Sequence, residues 1–178
     1  MTGAAGGGTA AGGTRPRRFL LEISLIAGIV ALDQLTKLLV RIEIPLHGSV
    51  TVVTGLLNIV HVRNTGAAFG FLNTVDFPYK AAAVAMVATA ALMGIALYAA
   101  RMSSHERLAR VGLALILGGA VGNLIDRLAL GSVVDFVDVV LGGWHFWAFN
   151  VADSAITLGV VAMLADMIGL DRHASSTV

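Results

Sequence analysis

The sequence predicts an α-helical membrane protein, with four transmembrane helices and a small extracytoplasmic β-sheet platform. Three observations predict this fold class. Hydrophobic residues make up 57% of the 178 residues and charged residues only 13%, whereas soluble domains carry about 25% charged residues. Four apolar runs are each long enough to cross a bilayer core of ~30 Å as a helix. The two longest segments between these runs have the composition of strands.

The apolar runs define the predicted spans within one domain. We expect residues 19–170 to be embedded in the membrane, between cytoplasmic tails at residues 1–18 and 171–178. The first tail begins with a Gly/Ala/Thr-rich stretch that has too little side chain to bury, so it is predicted to be disordered. The first run is too long for a secretory signal peptide and lacks a clean cleavage site, which favours an uncleaved span. The predicted spans are residues 19–40, 79–100, 108–125 and 149–169.

Basic residues are unequally distributed between the two faces of the membrane. One face has only four basic residues, which are spread over two longer segments: Arg41, Arg63, Lys80 and Arg127. Lys and Arg accumulate in cytoplasmic loops, so the richer face is the cytoplasmic one. The sequence therefore predicts a multi-pass protein of the cell (inner or cytoplasmic) membrane with both termini in the cytoplasm. The richer face carries seven arginines, namely Arg15, Arg17, Arg18, Arg101, Arg107, Arg110 and Arg172.

Of the two external segments, residues 41–78 contain a stretch that is rich in Val, Thr and Ile and partly alternates apolar with polar residues, and residues 126–148 contain a strand-like stretch rich in Val. This pattern is typical of strands, so we expect a small sheet lying against the outer face of the membrane. The second segment leads into aromatic residues at the start of the last span. These favour an interfacial anchor, with contact to a lipid chain as the alternative. They are Trp144, Phe146, Trp147 and Phe149.

Polar side chains from three spans are predicted to lie at one depth, near the outer interface. At about 1.5 Å per residue, Asp33 lies roughly two-thirds of the way out along the first span, and Lys37 is one turn further. Ionisable groups inside membranes are costly and are therefore functional candidates. The other members come from the end of the third span, the start of the fourth and the segment between them. They are Asn123, Asp126, Arg127, Asp135, Asn150 and Asp153.

The composition excludes several kinds of chemistry. The chain has no cysteine, which removes disulfides, thiolate catalysis and Cys-ligated zinc. It contains neither an HExxH nor a GxSxG motif, and no histidine has a metal-like spacing to another ligand. We therefore expect no metal ion and no other cofactor. A net charge of +1 gives no nucleic-acid footprint.

Carboxylates remain as the candidate reactive groups. Two aspartates that share a site cannot both ionise comfortably, so one keeps a proton while the other acts as a base. Asp135 and Asp153 are the best pair, and they could activate water against a peptide carbonyl. Asp138 is an alternative to Asp135, but on a strand the two point to opposite faces, so only one can face Asp153.

Five stretches together resemble one known family. They are DQLTK (33–37), RNTGAAFG (63–70), GGAVGNLIDR (118–127), VVDFVD (133–138) and FNVADSA (149–155). In this order, on four spans, the chain resembles the lipoprotein signal peptidases, or signal peptidase II family, from about Phe19 to Leu170. The resemblance implies a membrane aspartyl protease that acts on lipidated prolipoproteins. Such an enzyme removes the signal peptide immediately before a cysteine that carries a diacylglyceryl group.

The resemblance also implies roles for individual residues. Asp135 and Asp153 match the catalytic aspartates. The implied partners are the prolipoprotein and membrane lipid, with no cofactor. The residues that match substrate-binding or supporting positions are Asp33, Lys37, Asn64, Gly66, Asn123, Arg127, Asn150 and Ala152.

Several of these residues also have simpler interpretations. Asp33 and Lys37 could form an i,i+4 ion pair buried between helices. Asp126 is better explained as a helix-end pair with Arg127 at the interface than as a catalytic group. Asp166, at the far end of the last span, is expected to be solvated. Close helix packing explains the spacing of Gly118 and Gly122.

Two rival functions belong to other classes. In a small transporter, Asp33, Lys37 and Asp153 would relay protons or bind an ion. Transporter sites tend to lie near the midplane between repeats, whereas here the polar groups are predicted at the outer surface and no repeat is visible. A structural subunit would leave several charged groups inside lipid unexplained.

Overall fold

The structure, a computed structural model, describes residues 14–65, 79–101 and 106–174. This part of the chain contains four helices and four strands in a mixed order. In chain order they are α1 (Thr14–Glu43), β1 (Ser49–Val53), β2 (Leu57–Asn64), α2 (Lys80–Arg101), α3 (Arg107–Leu130), β3 (Val133–Leu141), β4 (Trp144–His145) and α4 (Val151–Ala174).

The four helices confirm the predicted fold class. Each contains a stretch long and apolar enough to cross a membrane. Many of their large apolar side chains are exposed, including Leu38, Val87 and Leu158, as expected for surfaces that face lipid. The membrane-crossing stretches are Phe19–Glu43, Ala82–Arg101, Arg107–Leu130 and Val151–Gly169.

The helix ends differ from those predicted at three places. Helix α1 begins at Thr14, within the residues assigned to the N-terminal tail, whereas its membrane-crossing stretch begins at Phe19; Pro16 is tolerated there because the first-turn N–H groups have no intrahelical partner anyway. Helix α4 likewise continues to Ala174, into the tail assigned to residues 171–178. Helix α3 does not end near residue 125 but runs to Leu130. It stops at Gly131, whose φ of 70° is left-handed and whose N–H donates to the carbonyl of Arg127 at 3.1 Å.

The predicted strands form one antiparallel sheet in the order β1-β2-β3-β4. Strands β1 and β2 form a hairpin directly after α1, whereas β3 follows α3 and pairs with β2. In this register Asn64 lies opposite Val133, and Val62 opposite Asp135. The sheet therefore joins the ends of α1 and α3 and brings the end of β2 beside the start of β3.

Helix α3 packs closely against both α1 and α4 through glycines. A Cβ at Gly118 would lie 3.0 Å from Ile29, and one at Gly122 would lie 2.6 Å from the Asp33 carboxylate. The predicted close packing at these two glycines is thus confirmed, with α1 as the partner. On another side of α3, Gly112 and Gly119 approach the backbone of α4.

Candidate active site

Asp135 and Asp153, here called the aspartate pair, come from β3 and α4. Asp135 lies on the buried side of β3 and is only 3% exposed. Asp153 is half-buried in the first turn of α4. Asn150, which directly precedes α4, contacts both residues: it donates to Asp135 Oδ1 at 2.8 Å and accepts from the Asp153 N–H at 2.9 Å. The start of β3 and the start of α4 therefore meet at the shared side-chain amide of Asn150.

Side-chain amides from three different elements donate to the aspartate pair. Besides Asn150, Asn64 at the end of β2 donates to Asp135 Oδ2 at 3.1 Å. Asn123 of α3 donates to Asp153 Oδ1 at 2.8 Å. Donation to the oxygens of a carboxyl group favours its ionised form. Each aspartate is thereby held by neutral donors.

The orientations of two of these amides are set by groups that can only donate. The oxygen of Asn150 faces the backbone N–H of Asp153, as an N-cap residue does. The oxygen of Asn123 faces the ammonium of Lys37, at 2.9 Å. Because an ammonium and a backbone N–H have no acceptor, the NH₂ groups of both amides must turn toward the aspartate pair.

Lys37 is a buried cation at the centre of the surrounding cluster. Its side chain is 2% exposed, and its three N–H donors meet three acceptors. These are Asp33 Oδ2 at 2.7 Å, Asn123 Oδ1 at 2.9 Å and Asp126 Oδ2 at 3.1 Å. The interpretation of Asp33 and Lys37 as an i,i+4 ion pair is confirmed. The pair also supports the site, because Asp33 Oδ1 accepts the backbone N–H of Ala152 at 3.0 Å.

Asp126 is not the interfacial helix-end residue that the sequence suggested. It is 3% exposed, and α3 carries it into the cluster, where its oxygens accept from Lys37, Gln34 and the Val134 N–H. Neighbouring residues on a helix do not face each other, which explains why adjacency to Arg127 was misleading. Gln34 was missed altogether, although it stands directly after Asp33 in the DQLTK stretch.

Arg127 and Asp138 occupy different sides of the site. The guanidinium of Arg127 donates to the Asn123 carbonyl at 3.2 Å and interacts electrostatically with both members of the aspartate pair. Asp138 instead contacts Asn58 and His145, each at 2.9 Å. Of the ten site residues predicted from the sequence, the structure brings nine into this cluster, and Gly66 lies outside the described residues.

The surroundings of Asp135 raise the pKa of its carboxyl group from 3.8 to about 7. Burial is the largest cause, and the negative charge of Asp153 adds to it. The hydrogen bonds from Asn64 and Asn150 and the charge of Lys37 act in the opposite direction. This carboxyl group can therefore hold or release a proton near neutral pH.

Metal-binding potential can be judged for residues 14–65, 79–101 and 106–174. Within them, no three His, Asp or Glu side chains are arranged to hold a metal ion. The acidic side chains of the cluster are held by Lys37 and by amides. The absence of a cofactor stays a prediction.

The fold and the site define a class: helical membrane proteins that hold two carboxyl groups in a polar cluster at one end of the helices. Comparison with known proteins then identifies the family. The sequence pattern described as "Signal peptidase (SPase) II" matches residues 25–169. The chain belongs to the signal peptidase II family, which confirms the resemblance seen in the sequence.

Individual relatives agree with this assignment. A lipoprotein signal peptidase of Geobacter metallireducens is 46% identical over 161 residues, which cover 90% of this chain and 98% of the relative. One from Burkholderia multivorans is 46% identical over 154 residues, covering 86% and 90%. A bacterial membrane enzyme, solved by the in meso method at 2.3 Å resolution, superposes with a TM-score of 0.75 at 30% identity. It covers 89% of this chain and 92% of its own.

Proposed function

We propose that this peptidase removes the signal peptide from prolipoproteins that carry a diacylglyceryl group, cutting immediately before the lipidated cysteine. Asp135 and Asp153 are the catalytic residues. The observation that carries this proposal is that Asn150 links the two aspartates, because its NH₂ group donates to Asp135 Oδ1 and its oxygen accepts the Asp153 N–H. The names of the relatives, lipoprotein signal peptidases, support the class of substrate.

The aspartate pair works with a single proton. The ionised carboxylate takes a proton from a water molecule, and the resulting hydroxide attacks the carbonyl carbon of the scissile peptide bond. The protonated partner donates its proton to the carbonyl oxygen. Collapse of the tetrahedral intermediate then breaks the C–N bond, and the leaving amine takes up a proton. A pKa of about 7 for Asp135 lets one carboxyl group be protonated at neutral pH.

The surrounding residues have supporting roles. Asn64, at the end of β2, contacts the substrate together with Gly66, which follows two residues later in the sequence. Asn123 and Arg127 hold the substrate backbone and steady the fold beside the aspartate pair. The positions of the pair are kept by Asn150, which contacts both aspartates, and by Asp33, which contacts Lys37 and the Ala152 N–H.

The membrane supplies the second half of substrate recognition. Each buried CH₂ of an acyl chain contributes ~0.8 kcal/mol, so the diacylglyceryl group holds the scissile bond at one depth. The aspartate pair lies at the same end of the helices as the sheet, which we place near the outer face of the cytoplasmic membrane. Both termini then lie in the cytoplasm, as the distribution of Lys and Arg predicts.

Purified enzyme and a diacylglyceryl-modified precursor test this proposal. We expect Asp135→Asn and Asp153→Asn each to lower kcat by at least about 1,000-fold, because each removes a proton-transfer group. Asp138→Asn is the matched control, since it changes a buried aspartate on the same strand that contacts Asn58 and His145 instead. It should leave kcat near that of the wild type.

The same assay includes an unlipidated precursor of identical sequence. It should be cleaved poorly, because nothing holds its scissile bond at the right depth. Near-normal turnover by either aspartate variant would refute the catalytic assignment. Equal rates for the two precursors would refute recognition of the lipid.

A further inference from the structure

We propose that Asp126 is a positioning residue for the aspartate pair. It acts on Asp135 through the backbone of β3, and on Asp153 through Lys37 and an amide of α3. This inference rests on the proposed function of the pair. It gives a role to a buried carboxylate that the adjacent Arg127 had seemed to explain.

The first connection runs through the strand. Asp126 Oδ2 accepts the backbone N–H of Val134 at 3.0 Å. Val134 is fully buried and directly precedes Asp135, and its carbonyl accepts from Asn150 at 3.3 Å. Asp126 therefore holds the peptide group that joins Val133 to Val134, one residue before Asp135, while Asn150 contacts both the Val134 carbonyl and the Asp135 carboxyl group.

The second connection runs through the cation. The same oxygen of Asp126 lies 3.1 Å from Lys37 Nζ. Lys37 sets the orientation of Asn123, which donates to Asp153 Oδ1 at 2.8 Å. Without Asp126, one of the three donors of Lys37 has no acceptor, and the ammonium is free to turn away from Asn123.

Gln34 holds Asp126 in place for both tasks. Its NH₂ group donates to Asp126 Oδ1 at 2.9 Å and to the carbonyl of Gly122 at 3.1 Å. One carboxylate oxygen is thus occupied by Gln34, while the other faces Val134 and Lys37. This two-sided arrangement needs a carboxylate, because an asparagine offers an acceptor on one side only.

Because Asp126 is charged, its replacement should change the pH dependence of kcat, which the loss of a purely structural residue would leave unchanged. Asp126→Asn removes one negative charge and leaves the charge of Lys37 less compensated. A more positive surrounding lowers the pKa of a carboxyl group. Asp135 should then lose its proton at a lower pH. The other charged groups of the cluster that contains Asp126 are Asp33 and Lys37 of α1, Arg127 of α3, Asp135 of β3 and Asp153 of α4.

The test compares wild type, Asp126→Asn and Glu22→Gln. Glu22 forms an ion pair with Arg110 at 2.6 Å, so its loss also removes a carboxylate between α1 and α3, but away from the aspartate pair. For Asp126→Asn we expect kcat to fall by about 10- to 100-fold, as for a displacement of ~1 Å in an active site, with KM unchanged. The alkaline limb of its pH–kcat profile should move to lower pH. Glu22→Gln should keep the wild-type kcat and profile.

Folding of each variant is measured by thermal unfolding in detergent. If Asp126→Asn does not fold, Gln34→Met carries the test, since it removes the hydrogen bond to Asp126 without a change of charge. It should lower kcat several-fold at constant KM, and a wild-type kcat would overturn the inference. A folded Asp126→Asn enzyme with wild-type kcat and pH profile would overturn it as well. Asp135→Asn distinguishes a failure of this inference from a failure of the proposed function. If Asp135→Asn is inactive while Asp126→Asn has wild-type activity, the proposed function stands and only the role of Asp126 is refuted.

Discussion

At the scale of single residues, Asp135 shows how two opposed influences set a proton equilibrium. Burial and the charge of Asp153 raise the pKa of its carboxyl group, while Asn64 and Asn150 stabilise the ionised form. The folded pKa of about 7 lies above the unfolded value of 3.8. The folded state therefore holds this proton where the unfolded state does not. Its contribution to the free energy of unfolding is greatest below the unfolded pKa and is lost as the pH rises through about 7.

Removal of one amide donor should move this equilibrium in a known direction. Asn64→Ala deletes the hydrogen bond to Asp135 Oδ2, which raises the pKa of Asp135 further. The alkaline limb of the pH–kcat profile should therefore move to higher pH. Asn58→Ala is the control, because Asn58 donates in the same way to Asp138 on the same strand. A shift of equal size in both variants would contradict the assignment of the limb to Asp135.

Single residues were predictable from the sequence where a motif named them. Asp135 and Asp153 came from the motifs, and the two-residue periodicity of a strand correctly separated Asp135 from Asp138. Asp126 was misjudged because its partner, Lys37, comes from another helix and leaves no mark on the local sequence. Gln34 was missed for the same reason, since the groups that it joins, Asp126 and the Gly122 carbonyl, belong to α3.

At the scale of elements, α3 is the helix on which the site depends. Its glycines allow α1 to approach on one side and α4 on another. A Cβ at Gly119 would overlap the Ala152 carbonyl and lie 2.8 Å from Ile156 of α4. Ala152 directly precedes Asp153. The distance between α3 and α4 therefore decides whether the side-chain amide of Asn123 reaches the carboxylate of Asp153.

A methyl group at this contact should separate the two helices. We expect Gly119→Ala to destabilise the protein by about 1–3 kcal/mol, as overpacking does, and to lower kcat more than 10-fold, by roughly the effect of a 1 Å displacement. Gly94→Ala is the control, because no described atom lies within 4 Å of a Cβ there. It should stabilise α2 by about 0.5–1 kcal/mol and leave kcat unchanged. Thermal unfolding in detergent and cleavage rates measure both effects.

The existence of the helices was predictable, but their ends were not. Hydropathy falls at Asp126, which suggested that the third span stops there. The helix continues to Leu130 because the polar side chains at its end find buried partners on α1 and β3. Hydropathy measures the cost of polar groups in lipid, and it is blind to their satisfaction within the protein.

At the scale of the whole molecule, the polar cluster, the sheet and the starts or ends of three helices share one end. We have placed this end outside the cytoplasm. The absence of cysteine from the chain makes the orientation testable, because a single introduced cysteine has no labelling background. Thr51 on β1 and Arg107 at the start of α3 are both exposed.

In spheroplasts, a membrane-impermeant maleimide should label Thr51→Cys directly. It should label Arg107→Cys only after the membrane is permeabilised. The cysteine-free parent is the control for background, and retained cleavage activity shows that each variant folds. Labelling of Arg107→Cys in intact spheroplasts, with Thr51→Cys protected, would reverse the proposed topology.

Local sequence patterns predicted only part of the overall arrangement of helices and strands. Composition and run lengths predicted the four spans, and β-rich segments predicted strands. The pairing of β2 with β3 joins segments far apart in the chain, so the sheet order needed the structure. This same pairing brings Asn64 to Asp135, which explains why a contact within the site escaped analysis of either segment alone.

The short connection from α3 to β3 ties the chemistry to the lipid. Only Gly131 and Ser132 separate α3 from β3, the strand that carries Asp135. The hydrogen bond from the Val134 N–H to Asp126 joins the helix and the strand a second time. A helix whose apolar stretch is longer than the bilayer is thick can respond by tilting, and a tilt of α3 would carry β3 with it. We therefore expect the thickness of the surrounding membrane to affect the alignment of Asp135 with Asp153, the two residues that we propose to be catalytic.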